Sequence, residues 1–440
     1  MRADIVYRNI ICDNTYKHMT DNDRPLSVAF QGRRYISCLA VALLFIFLIV
    51  LTTEVSATAP AIAWNKTYQA AESTVGQRVI STDDGYLIAG YYIIMYEGSG
   101  IALIKTDFDG NEAWNRTYGD FDVVSSMIAV SDGYVITGIK PYPDSVESRN
   151  AFLARIDRSG NMTWWKAYGG RVSTRGSSVI PVEGGYVMAG MFGWSSLPGV
   201  YTDAYLVRTD SEGNEIWNRT YGSPGSDDEF ATVIESGDGY VLAGDIGGSI
   251  WVVRTDPDGN EIWNRTYGTG GGYAIIKASD GYVFLADKGR VDNSRFVDFH
   301  LMKIDVDGNM IWDRKLGKYL SGSLAAVPDG YALTGGIDLS GNWTYQVYLM
   351  KTDLNGNQTW NVTCAMAGSN IGSALIVDRG AYVIAGGFHS VGNTTPNYSA
   401  ALLVKTNRDN SRAMPAAPAA SLVLTTLAVI IATVAGRLRK

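Results

Sequence analysis

Residues 105–119 read KTDFDGNEAWNRTYG, and residues 254–268 read RTDPDGNEIWNRTYG. The same phrase, worn to different degrees, places tryptophans at Trp64, Trp114, Trp164, Trp217, Trp263, Trp312 and Trp360, spaced by 50, 50, 53, 46, 49 and 48 residues. Two further phrases keep step with it. D-G-Y-x-[IL]-x-G sets Tyr86, Tyr134, Tyr186, Tyr240, Tyr282, Tyr331 and Tyr382, and [LV]-x-[KR]-x-D sets Lys105, Arg155, Arg208, Arg254, Lys303, Lys351 and Lys405. Three phrases recurring seven times in one order mark an internal repeat.

Each unit predicts four short strands. In the first they are Arg78–Ser81, Tyr86–Tyr92, Ile101–Thr106 and Glu112–Tyr118, with tight connections at Asp84-Gly85 and Asp107-Phe108-Asp109-Gly110-Asn111. Aspartate hydrogen-bonds its own turn and glycine accepts positive φ, so both stretches read as hairpin turns. No helical periodicity intervenes, and four antiparallel strands per unit make a propeller blade. The first tryptophan phrase, Ala61–Tyr68, precedes every other element, whereas the last unit stops at Lys405-Thr406-Asn407 without one. The expected fold is therefore all-β: a seven-bladed β-propeller of four-stranded blades, closed by an N-terminal strand that completes the last blade and flanked by N- and C-terminal hydrophobic helices. Small residues of the first strands (Ser125-Ser126, Ser177-Ser178, Ala231-Thr232, Gly322-Ser323, Gly372-Ser373) are expected at the axis. The tryptophans are expected to dock between blades. Each basic residue stands two before Asp or Asn, on one face of its strand, and the two are expected to pair neighbouring blades.

Composition agrees and excludes much. Of 440 residues 46% are apolar and 18% charged, which rules out global disorder, while 49 Gly and 26 Tyr suit turns and strands. A net charge of −7 argues against nucleic acid as a partner. Cys12 and Cys38 precede the repeats and leave Cys364 alone among them, so no disulfide and no cysteine-rich metal site is expected there. His18, His300 and His389 are too few for a three-histidine metal site in the body. Asp107, Asp109 and Asn111 offer alternating oxygens, but Gly110 comes too early for a calcium loop and a tight turn explains the same letters. No metal, cofactor or catalytic residue is expected.

The ends carry an address. Residues 35–51, YISCLAVALLFIFLIVL, follow Arg33-Arg34 and lack charge; Val55-Ser56-Ala57 then suits a signal peptidase. A cleaved signal peptide and a retained anchor are both open readings. Ala413 to Gly436 is uncharged, long enough to span a bilayer, and followed by Arg437-Leu438-Arg439-Lys440, which would stay cytoplasmic. The expected division is 1–57 cytoplasmic tail plus signal peptide or anchor, 58–410 propeller outside the cell, and 411–440 Ala/Pro spacer, transmembrane helix and basic tip. Sequons at Asn65, Asn115, Asn161, Asn218, Asn264, Asn342, Asn357, Asn361, Asn393 and Asn397 fit an exported glycoprotein, although several belong to the repeated phrase itself.

The units D-G-Y-x-x-A-G and D-x-x-G-N-x-x-W-x-x-T-Y-G, over about residues 61–407, resemble repeat β-propellers on archaeal and bacterial surfaces, and more distantly pyrroloquinoline-quinone-type repeats. The spacer, span and basic tip resemble archaeal surface sorting signals, with Met414-Pro415-Ala416 where a Pro-Gly-Phe-like motif is usual. The resemblance implies a surface propeller. The quinone enzymes' vicinal disulfide has no counterpart in this sequence.

One face of the ring should carry the monotonous turns and the other the loops of varied length, where binding residues usually sit. On that face Tyr96, Tyr142, Trp194, Tyr201, Asp227, Asp228, His389 and Tyr398 are the candidate binding residues, suited to stacking on sugars or to protein contacts. The leading expectation is a membrane-anchored cell-surface binding or envelope-interaction module without catalytic activity, whose partner is a surface protein or glycan. The alternative is a secreted carbohydrate-active hydrolase or lyase. A ring of acids at the channel mouth would favour the enzyme, an uncharged aromatic rim the binder.

Overall fold

The computed structural model describes residues 58–409 apart from 142–148, 170–172, 195–200, 289–296, 339–343, 365 and 391–398; the side chains of 194, 297 and 318–321 also fall outside the description. Strand β1 (Ile62–Tyr68) comes first. Blade 1 is β2 (Ser73–Thr82), β3 (Gly85–Ile94), β4 (Gly98–Thr106) and β5 (Glu112–Tyr118). Blade 2 is β6 (Val123–Val130), β7 (Gly133–Pro141), β8 (Arg149–Asp157) and β9 (Met162–Tyr168). Blade 3 is β10 (Ser173–Val182), β11 (Gly185–Trp194), β12 (Asp203–Asp210) and β13 (Glu215–Tyr221). Blade 4 is β14 (Asp228–Glu235), β15 (Tyr240–Ile246), β16 (Ser249–Thr255) and β17 (Glu261–Thr269). Blade 5 begins with β18 (Gly272–Ala278), β19 (Gly281–Lys288) and β20 (Val297–Ile304), and β21 (Met310–Val327) follows. Blade 6 ends with β22 (Gly330–Asp338), β23 (Tyr345–Asp353) and β24 (Gln358–Cys364). Blade 7 is β25 (Ser369–Asp378), β26 (Ala381–His389) and β27 (Ser399–Thr406), completed by β1.

The result is a seven-bladed propeller of four-stranded blades. Closure is direct: β1 pairs antiparallel with β27, Asn65 opposite Val404 and Tyr68 opposite Ala401. One junction departs from the expected separate strands. The 18-residue β21 is continuous, its first half pairing with β20 and its second with β22, so blades 5 and 6 share one seven-stranded sheet.

The inner strand of blade 1 starts at Ser73, earlier than the expected Arg78, and every inner strand carries a register shift at the same place. The residues just after the shift are Arg78, Ser126, Ser178, Thr232, Ala274, Ser323 and Ala374. An extra residue interrupts inward–outward alternation there, which is why pattern reading began the blade 1 strand too late.

The core is divided, with seven apolar clusters packed between adjacent blades. The cluster joining Tyr86, Ile88 and Ile104 of blade 1 to Val383, Ala385 and Leu403 of blade 7 closes the circle from within. The tryptophan phrase docks as expected. Trp64 covers Gly110 of the next blade, Tyr68 donates to the Gly110 carbonyl at 2.7 Å, and Trp114, Trp164 and Trp217 repeat the contact at Gly160, Gly213 and Gly259.

The expected pairing of strand-three bases with neighbouring blades is corrected. Lys105 reaches Asp84 at 2.7 Å, Arg254 reaches Asp238 at 2.8 Å, Lys303 reaches Asp280 at 2.7 Å and Lys351 reaches Asp329 at 2.9 Å. These four aspartates belong to the D-G-Y turn of the same blade, while contacts to the next blade persist from Arg155 to Tyr186 OH, from Lys351 to Asp409 and from Lys405 to the Phe108 carbonyl. Asp107 is occupied elsewhere, its carboxylate accepting from the backbone N–H groups of Asp109 and Asn111 and from Asn111 Nδ2. A tight Asx turn thus accounts for the oxygens that resemble a calcium loop. Among the described residues there is no helix, and none long and apolar enough to cross a membrane. The expected hydrophobic helices at 35–51 and 413–436 lie outside the described residues.

Candidate functional site

The inner strands enclose a central cavity of about 740 Å3. Its wall is largely small residues, among them Ser125, Ser126, Ser177, Ser178, Thr232, Ser323 and Ser373. Three hydroxyls lace the ring: Ser126 accepts from Val179 N at 3.3 Å, Ser178 from Val233 N at 3.3 Å and Ser323 from Leu375 N at 3.1 Å. Beside a few aliphatic side chains, four large polar or charged residues stand out: Arg78, Arg175, Glu229 and Tyr273.

Arg175 Nη2 donates to Glu229 Oε2 at 2.6 Å and Nε to Ser177 Oγ at 3.2 Å, bridging blades 3 and 4. Glu229 stands opposite Asp245 in the β14–β15 ladder. The Asp245 carboxyl is pushed up to about 7, first by burial and then by Glu229, Asp228 and Asp287, with Arg175 opposing. In blade 5, Asp287 accepts from Gly271 N at 2.5 Å and from Tyr273 OH at 2.8 Å. Acids thus cluster at the loop-face end of blades 4 and 5, on one arc of the ring. An Asp245 carboxyl that titrates near neutrality can accept or release a proton there. Among the described residues, no three His, Cys, Asp or Glu side chains gather to hold a metal ion.

The expected binding residues scatter. Tyr201, half exposed, Asp227 and Asp228 come together where blade 3 meets blade 4. Asp227 Oδ1 accepts from Thr202 N at 3.0 Å. Asp228 is turned inward and fully buried, accepting from Ser223 N at 2.7 Å, Ser226 Oγ and Gly247 N at 2.9 Å. Its oxygens brace the loop. Tyr96 is wholly exposed at the tip of the β3–β4 hairpin, in blade 1, with φ 68°. His389, in blade 7, holds Ser399 Oγ at 2.6 Å through Nδ1, and burial lowers its pKa. Trp194 ends β11, its side chain outside the description, and Tyr142 and Tyr398 lie outside the described residues. Of the sequons, Asn65, Asn218, Asn264 and Asn361 are exposed on outer strands, whereas Asn342, Asn393 and Asn397 lie outside the described residues. Asn161 and Asn357 are exposed in the strand-three-to-four turns, and half-buried Asn115 donates to Glu112 at 2.6 Å.

Sequence reasoning missed Arg78, Glu229, Asp245, Asp287 and Tyr273. A signal was present. The residue following the glycine, or Ala286, that ends the D-G-Y phrase is Tyr91, Ile139, Met191, Asp245, Asp287, Gly336 and Gly387, and only units four and five place an acid there.

No protein-family model matches the chain, and no curated protein matches it. Solved structures are distantly similar to it. Sqt1 from Chaetomium thermophilum is 8% identical, with 77% of this chain and 87% of that one covered, at a TM-score of 0.44. The phage phi92 endosialidase is 10% identical over 79% and 69%, at 0.45, and a puromycin hydrolase 11% identical over 75% and 53%, at 0.47. The likeness is one of fold alone.

Proposed function

We propose that the chain is a membrane-anchored, outward-facing propeller that binds a surface protein or glycan at the loop-face mouth of its channel, without catalysis. One observation carries this reading. The repeated charges are committed to structural braces within and between blades, whereas the polar groups lacking a counterpart in most blades, Arg175, Glu229, Asp245, Asp287 and Tyr273, gather on one arc of the channel. A function needs such asymmetry; a sevenfold brace does not. The hydrophobic segments at 35–51 and 413–436, the exposed sequons and the resemblance to surface repeat propellers support the cellular address. The test is an array of glycans and surface proteins probed with the full chain and with Tyr201→Ala and Asp245→Asn. Both variants should lose signal on the ligands the parent binds; undiminished binding by both would remove the mouth as the site. Intact-mass measurement of the native protein reads end processing and sequon occupancy.

A second reading, a carbohydrate-active hydrolase or lyase, is favoured by Asp245 facing Glu229 with a carboxyl near neutrality, since such chemistry uses two carboxyl groups in different protonation states. It requires turnover of a polysaccharide that Asp245→Asn abolishes. The binding reading requires no turnover.

A further inference from the structure

The register shift in each inner strand puts seven residues at one equivalent place in the ring, and six are Ser, Thr or Ala. The seventh is Arg78. Its Nε donates to the Ser125 carbonyl of blade 2 and its Nη1 to the Gln77 carbonyl at 2.8 Å. Among the described residues Nη2 has no acceptor and no carboxylate pairs with the guanidinium; Arg175, by contrast, has Glu229. Set deep in the ring, Arg78 has its pKa pushed down to about 10 by burial alone. It stays charged at neutral pH. By accessible surface Arg78 is only partly buried: it faces the cavity it lines, so its charge and its Nη2 are open to an anion that enters. Ser125 and Ser373, on the blades either side, line the same cavity with hydroxyls that bond no described residue.

We propose that Arg78, flanked by the Ser125 and Ser373 hydroxyls, is a seat inside the channel for the single carboxylate of a sugar acid. The guanidinium fork matches the two oxygens of a carboxylate. One uncompensated positive charge matches one negative charge. The acids Glu229, Asp245 and Asp287 at the mouth disfavour a polyanion, so the rest of the ligand is neutral and polar. A cavity of about 740 Å3 suits a ligand of that size. This deepens the binding reading by naming a ligand class. The two fail separately, because an array that returned only neutral glycans would leave the mouth standing and sink the carboxylate seat.

The experiment is a thermal-melt and equilibrium titration of the full chain with glucuronate, glucose and inorganic sulfate at matched ionic strength, repeated on Arg78→Gln and Arg78→Lys. Glucuronate alone should raise Tm. Arg78→Gln should abolish that rise, and Arg78→Lys should weaken glucuronate about 10-fold or more, an ammonium being unable to fork. A merely structural arginine would lower the melting temperature of both variants while the parent showed no response to glucuronate. The proposal is overturned by absence of glucuronate protection in the parent, by equal protection from glucose or sulfate, or by undiminished protection in Arg78→Gln. Should that variant not fold, unchanged glucuronate affinity in Arg78→Lys overturns it equally.

Discussion

Gly110 and Gly184 both hold left-handed backbone, at φ 76° and 73°, but in different surroundings. A Cβ on Gly110 would lie 2.8 Å from Cη2 of Trp64, whereas one on Gly184 meets nothing within 4 Å. Alanine at either position should lose roughly 1–2 kcal/mol for the backbone. Gly110→Ala should lose clearly more, because Trp64 must move, and equal losses in denaturant titrations would contradict the docking. Asp245 yields a second prediction. Its carboxyl titrates in the folded chain near 7, above the ordinary value of 3.8, so the stability this group contributes is present below about pH 4 and disappears as pH rises toward 7. The Tm advantage of Asp245→Asn over the parent should therefore widen from pH 5 to pH 8; a constant difference would refute the shift. At this scale the turn glycines were legible, because positive φ writes itself as Gly. Arg78 was not: it stands where the six other blades hold Ser, Thr or Ala, and only the register shift reveals that it belongs to their set.

Strand-level reading succeeded where each element obeys the repeat and failed where partners are chosen by geometry. Lys105 and Asp107 do share a face, yet Asp107 is held by its own turn, leaving Asp84 to receive the lysine. In blade 7 the usual Asp-Gly before the tyrosine is replaced by Gly380-Ala381, and Lys405 donates instead to the Phe108 carbonyl at 3.0 Å. Blade 6 has the most buried version: Lys351 meets Asp329 and Asp409, both at 2.9 Å, and Asp409 also accepts from Tyr382 OH at 2.7 Å. Asp409→Ala should lower stability by roughly 1–3 kcal/mol, the range for hydrogen bonds to charged groups. Asp84→Ala, whose carboxylate is 79% exposed, should lose less than about 1 kcal/mol. Comparable losses in the two variants would show that burial does not rank these braces.

For the whole molecule, closure was legible because an incomplete last unit and an orphan first strand are complementary facts about the same chain. The functional asymmetry was far less legible, since it depends on which unrepeated residues converge across blades. Removing residues 58–68 takes away β1, exposing the β27 edge and uncovering Gly110. Exposed edges associate. The truncated chain should lose its single cooperative melting transition and elute as higher-order species, and unaltered calorimetric and size-exclusion profiles would argue against a closed ring.

The uninterrupted β21 also constrains how the gene can be rearranged. Joining the ends of the propeller and reopening the polypeptide near Gly222, a surface connection between blades 3 and 4, cuts no strand, whereas reopening it near Gly317 severs a sheet shared by two blades. With each permutant built on residues 58–409 alone, so that neither hydrophobic segment is carried along, the first should yield folded protein with the ellipticity of the unpermuted 58–409 fragment; the second should not.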